Sequence, residues 1–173
     1  MAEPRQKPGR SKQDYETPAD FIAAVKDRLQ VTRFAHDFAA SATNRKAPTH
    51  FDVATDALSV PRWELSLRQN ACPVTRIAWG WLNPPFRRIA PWAMRCAQTR
   101  EAGGRIALLV PAAVGSNWFK NYVHGHALVL ALNGRIHFDP ERPTWGFPKD
   151  CILALYSPEL LPRFEVWSWK RKR

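Results

Sequence analysis

Cysteine is scarce in this chain, and the three present, Cys72, Cys96 and Cys151, are odd in number and widely spaced. That argues against a disulfide framework and against a zinc-ligand pattern, and it predicts reduced thiols in a cytoplasmic protein. Long apolar runs are missing too. No stretch reaches the roughly 20 residues needed to span a bilayer, so no membrane segment is expected. The first residues are polar and carry prolines, unlike a secretory signal. Negative charge is the third shortage: 15 Asp and Glu stand against 26 Lys and Arg, a net charge of +11. An imbalance of this size points to a polyanionic partner.

What remains is an ordinary core-forming composition, 45% hydrophobic over 173 residues, enough for one domain. The positive charge is uneven. Residues 1–12 hold Arg5, Lys7, Arg10 and Lys12 against Glu3, and residues 163–173 hold Arg163, Lys170, Arg171, Lys172 and Arg173 against Glu165. Residues 1–13 therefore read as a disordered basic arm, 14–162 as the folded domain and 163–173 as a basic tail. Such ends either grip phosphates without reading sequence or merely solubilise the chain.

Strands and helices alternate along the body. Thr17-Pro18 looks like a helix start, with Thr17 as N-cap and Pro18 in the first helical position. Phe21, Ile22, Val25 and Leu29 follow at helical spacing. Strands are expected at 33–37, 77–82, 105–110, 128–132 and 151–156, and helices at 88–100 and after a Ser116 cap. The Asn133-Gly134 turn leads to an extended piece at 135–138. The pattern predicts an α/β fold, Rossmann-like, with a mostly parallel sheet and an antiparallel edge. Ligands in such sheets sit beyond the carboxyl ends of the strands. Asp37 and Asn83 each fall just past such an end, on one rim facing one crevice.

The sharpest chemical signal is Asn83-Pro84-Pro85-Phe86. An exocyclic amine on an aromatic base is a poor nucleophile, because its lone pair is delocalised into the ring. A site that activates it accepts both amino hydrogens. The side-chain oxygen of Asn83 can take one and the backbone carbonyl of Pro84 the other. The paired prolines hold those acceptors in fixed geometry, and Phe86 can stack on a base flipped out of a duplex. An Asn-Pro-Pro sequence also serves as an ordinary turn after a strand.

Several short blocks in order carry more information than that loop alone. They are Tyr15-Glu16-Thr17-Pro18, Asp37-Phe38-Ala39-Ala40-Ser41 with Asn44 following, Asp56-Ala57-Leu58, Asn83-Pro84-Pro85-Phe86, Leu108-Leu109-Val110-Pro111, Trp118-Phe119 and Gly134-Arg135-Ile136-His137-Phe138. With these blocks the chain resembles the phage-type DNA N6-adenine methyltransferase (Dam) family from about residue 13 to about residue 157. The resemblance implies a site-specific methyltransferase that uses S-adenosyl-L-methionine, acts on adenine N6 in double-stranded DNA and needs no metal. It also implies a phage or prophage setting and a role in restriction protection or regulation. It places Thr17 and Pro18 at the methionine end of the cofactor, with Tyr15 also binding the cofactor, and Asp37 near its amino group. Phe38, Ala39, Ser41 and Asn44 would form the cofactor loop, Asp56 would lie by the cofactor adenine, and Asn83, Pro84, Pro85 and Phe86 would be catalytic.

The chain departs from the family at two places. Ala39-Ala40-Ser41-Ala42 stands where a glycine-rich loop is usual, which permits close approach but not a cheap positive φ. Phe86 stands where tyrosine is also frequent. No separate recognition domain is visible, so Arg87, Arg88, Arg142, Trp145, Lys149, Lys170, Arg171, Lys172 and Arg173 are the candidate DNA contacts. The loop at 139–150 reads equally well as a proline-rich connection. Two other functions fit part of this sequence. One is a methyltransferase of the same kind acting on RNA adenine or guanine or on a protein glutamine. The other is a DNA-binding module without catalysis.

Overall fold

A computed structural model describes residues 16–71, 73, 76–138 and 147–170. In chain order the elements are α1 (Ala19–Leu29), β1 (His36–Asp37), β2 (Thr49–His50), a 3-10 turn (Ala57–Ser59), α2 (Trp63–Gln69) and β3 (Trp79–Leu82). They continue with α3 (Ala90–Glu101), β4 (Arg105–Pro111), α4 (Asn117–Tyr122), β5 (Leu128–Asn133), β6 (Cys151–Tyr156) and β7 (Arg163–Ser168). The strands form one seven-stranded sheet in the order β2-β1-β3-β4-β6-β5-β7.

Side chains alternate across a strand, and here both faces are covered. In β4, Ile106, Leu108 and Val110 pack with Trp63 and Leu67 of α2, Ala93 and Cys96 of α3 and Phe119 of α4. The intervening Ala107 and Leu109 turn to the opposite face, toward Phe21, Ile22 and Val25 of α1. A strand buried on both faces has no polar position to spare, which is why residues 106–110 read as one apolar run. Gly80 marks a close approach: a Cβ there would lie 2.5 Å from the ring of Phe38 and 2.9 Å from Ile106. The missing side chain lets Phe38 in, where it stacks on Trp63 at 4.2 Å.

The sheet is mostly parallel, as the alternation of elements predicts, but its antiparallel part is not an edge. β6 alone runs against its neighbours, and it lies inside the sheet between β4 and β5. All six of its residues are buried. Reversal after β5 returns the chain antiparallel, and the apolar segment Cys-Ile-Leu-Ala-Leu-Tyr is stable only where both faces are covered. The outer strand is β7, parallel to β5 from Leu128↔Arg163 to Asn133↔Ser168. Much of the expected 163–173 tail is therefore sheet. Its charge count concealed a period of two: Glu165 and Trp167 face α1, where Glu165 pairs with Arg28 at 2.9 Å and Trp167 meets Phe21. Phe164 and Val166 point outward and are exposed.

Two local expectations also change. α1 begins at Ala19 with Pro18 before it, and no side chain caps it. Thr17 is turned elsewhere. Residues 135–138 are not a strand, although Ile136 and Phe138 are buried and the Ile136 carbonyl accepts from the Phe147 amide at 2.8 Å. The Ser116 cap is present, its hydroxyl accepting from the Phe119 amide. The 1–13 arm lies outside the described residues. Among those described, no helix is long and apolar enough to cross a membrane, and no three His, Cys, Asp or Glu side chains gather as a metal site would require.

Candidate active site

β1 and β3 are parallel neighbours with Asp37 opposite Trp81, so the loops that leave them rise side by side at one rim of the sheet. Between these loops lies a cleft of about 680 Å³, within the usual range of roughly 300–1,000 Å³ for small-molecule sites. The first loop lines it with Phe38, Ala39, Ser41 and Asn44, Asp56 follows, and the second loop contributes Asn83 and Pro85. Residues drawn from separate sequence blocks thus meet in one cavity.

The cleft is acidic in a basic protein. Glu16, Asp52 and Asp56 line it, and no lysine or arginine does so among the described residues. Glu16 is tied to Lys46 at 2.9 Å. The Asp52 carboxylate accepts from the amide and hydroxyl of Thr55, and these bonds hold it below the usual carboxylate range. Asp56 sits at φ 45°, a left-handed conformation that Asp and Asn reach more readily than most residues. The segment after it is braced from α3, since Arg95 donates to the carbonyls of Leu58 and Pro61.

Asp37 does not line the cleft. Its buried carboxylate accepts from the Ala39 amide at 3.2 Å and from the Lys46 amide at 2.8 Å, clamping both ends of the loop that does. Burial pushes its pKa up to about 6, and the two amides and the Lys46 charge limit the rise. Its neighbour His36 is buried between the rings of Phe38 and Phe51. Thr49 donates its hydroxyl to the Ala35 carbonyl, so His36 Nδ1 must donate to Thr49 Oγ1, 2.9 Å away. That leaves Nε2 as the bare nitrogen of a neutral ring. Burial, then the field of His50, lowers its pKa to about 4.

At the other wall, Asn83 Nδ2 donates to Thr17 Oγ1 at 3.1 Å. Pro84, within the loop, is buried. Phe86 is not at the cleft surface. It packs in a three-ring cluster, 6.1 Å from Phe138 and 5.5 Å from Phe147, and of these Phe138 lines the cleft. Thr17 and Pro18 lie behind the wall rather than in it.

Phe51, Trp92 and Phe138 line the cleft, and none of them stands out in the sequence as a site residue. Phe51 directly follows β2 at the same rim, and Trp92 stands in the first turn of α3, which starts from that rim after β3. Strand ends and helix first turns were the available signal. Arg87 and Arg88 are exposed just after the Asn83 loop. Lys149 precedes β6, whose first residue pairs with the last of β4, and Lys170 follows β7 over the Trp169 ring at 5.2 Å. All four exposed cations stand at the carboxyl rim. Tyr15, Arg142, Trp145, Arg171, Lys172 and Arg173 lie outside the described residues.

No curated protein matches the chain. The family model for DNA N-6-adenine-methyltransferase (Dam) matches residues 5–144, most of the chain and all of the cleft just described. On that match the chain belongs to the Dam family of DNA N-6-adenine methyltransferases.

Proposed function

We propose that the chain transfers a methyl group from S-adenosylmethionine to the N6 amino group of adenine in double-stranded DNA, with the adenine flipped out of the duplex. The fold is read as the Rossmann-like methyltransferase type, its cofactor loop after β1 and its catalytic loop after β3. The observation that carries the reading is the placement of Asn83 on a cleft lined by three carboxylates and shaped by the Asp37-braced loop. When bound, the cofactor supplies a methyl group on a positively charged sulfur. An acid-lined cleft suits a cationic small molecule, and the alanine-rich loop lets backbone approach it closely.

The chain's own residues do the rest. Phe38, Ala39, Ser41, Asn44 and Asp56 hold the cofactor. Asn83 Oδ1 accepts one hydrogen of the adenine amino group and the Pro84 carbonyl the other, which draws the nitrogen lone pair out of conjugation. Phe138, which lines the cleft and is backed by Phe86 and Phe147, gives the base an apolar face. Arg87, Arg88, Lys149 and Lys170 take backbone phosphates, which positions the duplex without reading its sequence.

The test uses tritiated S-adenosylmethionine with unmethylated double-stranded DNA or with total RNA, followed by digestion to nucleosides. Label in N6-methyladenine from DNA supports the reading. Label confined to RNA, or tight DNA binding without label, replaces it.

A further inference from the structure

The bond between Thr17 and Asn83 joins residues 66 positions apart. Thr17 is buried at 2% exposure, caps no helix and stays behind the cleft wall, while Asn83 lines the cleft. The primary amide of asparagine is planar and nearly symmetric in shape. Turned end for end, it offers a donor where it had offered an acceptor. An amino group that must give up hydrogen-bonded protons is served only by the acceptor end. The Thr17 hydroxyl can accept or donate, so this bond holds the Asn83 side chain in place, and with Nδ2 on Thr17 Oγ1 the other end of the amide carries Oδ1. The segment bearing Thr17 is itself pinned: the adjacent Glu16 pairs with Lys46, whose amide is held by Asp37.

We propose that Thr17 is a positioning residue for catalysis, holding the Asn83 side chain in place so that its amide meets the adenine amino group. The assignment rests on the methyltransferase reading above. It differs from a cofactor contact, since the Thr17 oxygen acts on Asn83.

Two variants of the full chain test it. Thr17→Val keeps the volume and removes the oxygen; Thr17→Ser keeps the oxygen and removes the methyl group. The expected result for Thr17→Val is a kcat lower by about 10- to 100-fold, with the dissociation constant for S-adenosylmethionine and the KM for DNA within about twofold. Thr17→Ser recovers most of the rate. Equal loss in both variants, or a loss carried by cofactor affinity, overturns the assignment. A second measurement does not depend on turnover. The Asn83 side-chain amide signal in an ¹⁵N–¹H spectrum, identified through Asn83→Ala, is expected to exchange slowly in the wild type and Thr17→Ser and quickly in Thr17→Val. Identical signals in all three also overturn it. If the wild type transfers no methyl group, the functional reading fails, and the spectrum still decides whether Thr17 holds Asn83.

Discussion

Replacing Asn83 by alanine removes a polar side chain from the cleft lining and leaves Pro84 and Pro85 to shape the loop. Methylation is expected to fall by at least about 10²-fold, the scale seen when one preorganised polar group is lost from a reacting centre. DNA retention in a filter assay is expected to stay near wild type, because the exposed cations are untouched. If retention falls in step with activity, Asn83 is structural. Asp37 supplies a pH dependence at the same scale. Its pKa near 6 means that its carboxylate gains a proton as the pH drops below that value. The Ala39 and Lys46 amides then lose a charged acceptor, and the loop after β1 is expected to slacken. Titration calorimetry is expected to show several-fold weaker S-adenosylmethionine binding at pH 5.5 than at 7.5, with a flat response in Asp37→Asn. The same slope in both proteins would assign the effect to another group. Stability follows a different course. A raised carboxyl pKa costs stability at neutral pH, and that cost is relieved as the pH falls through about 6. His36, depressed to about 4, does the reverse, since its contribution is complete above 6.5 and is lost as the pH falls through 4. The two oppose each other over one window, so a loss of binding there is not a loss of fold.

Among the elements, β7 separates a sheet from a tail. Ending the chain after residue 162 removes a strand paired along six residues and uncovers the side of α1 that Trp167 and Trp169 touch. A Tm lower by 10 °C or more is expected, whereas ending it after residue 170 is expected to leave the Tm unchanged. A calorimetric scan of the two truncations tells them apart, and equal Tm values would return residues 163–170 to the status of tail. Gly80→Ala tests the neighbouring strand. Overpacking against Phe38 and Ile106 is expected to cost about 1–3 kcal/mol in denaturant unfolding. A neutral result would mean that the Phe38 ring yields. These elements were unevenly legible. The apolar run ending at Asn83 announced both a strand and its exit loop, because burial on two faces and a double proline are local properties. The inward place of β6 was not legible, since strand order depends on which edge remains open when the chain returns. β7 was obscured by its own charges, although Arg-Phe-Glu-Val-Trp-Ser alternates as an edge strand does. Thr17 was misread for a local reason: Thr-Pro before an amphipathic run is a helix-start signal, and only the fold brings Asn83 to it.

Across the whole molecule the charge is divided. The chain carries +11, yet the lining of its cleft is acidic. Under the proposed function, a phosphate backbone would be drawn to the rim and repelled from the cavity, and an extruded base would enter where its backbone does not. DNA affinity is expected to fall steeply with salt, and the double variant Arg87→Ala, Arg88→Ala should flatten the log–log slope by about 2, roughly 0.9 for each phosphate no longer neutralised. An unchanged slope would show that neither arginine meets a phosphate.

The aromatic floor of the cleft has an optical consequence. Trp92 lines the cavity, and it lies 6.1 Å from Trp63, which stacks under Phe38. Of the eight indoles in the chain, Trp92 is the one among the described residues whose ring borders the cleft. An occupant beside it changes the polarity and quenching around that indole, so intrinsic fluorescence reports occupancy without a label. Phenylalanine at position 92 would keep the wall and silence the signal, which identifies Trp92 as the indole that reports occupancy.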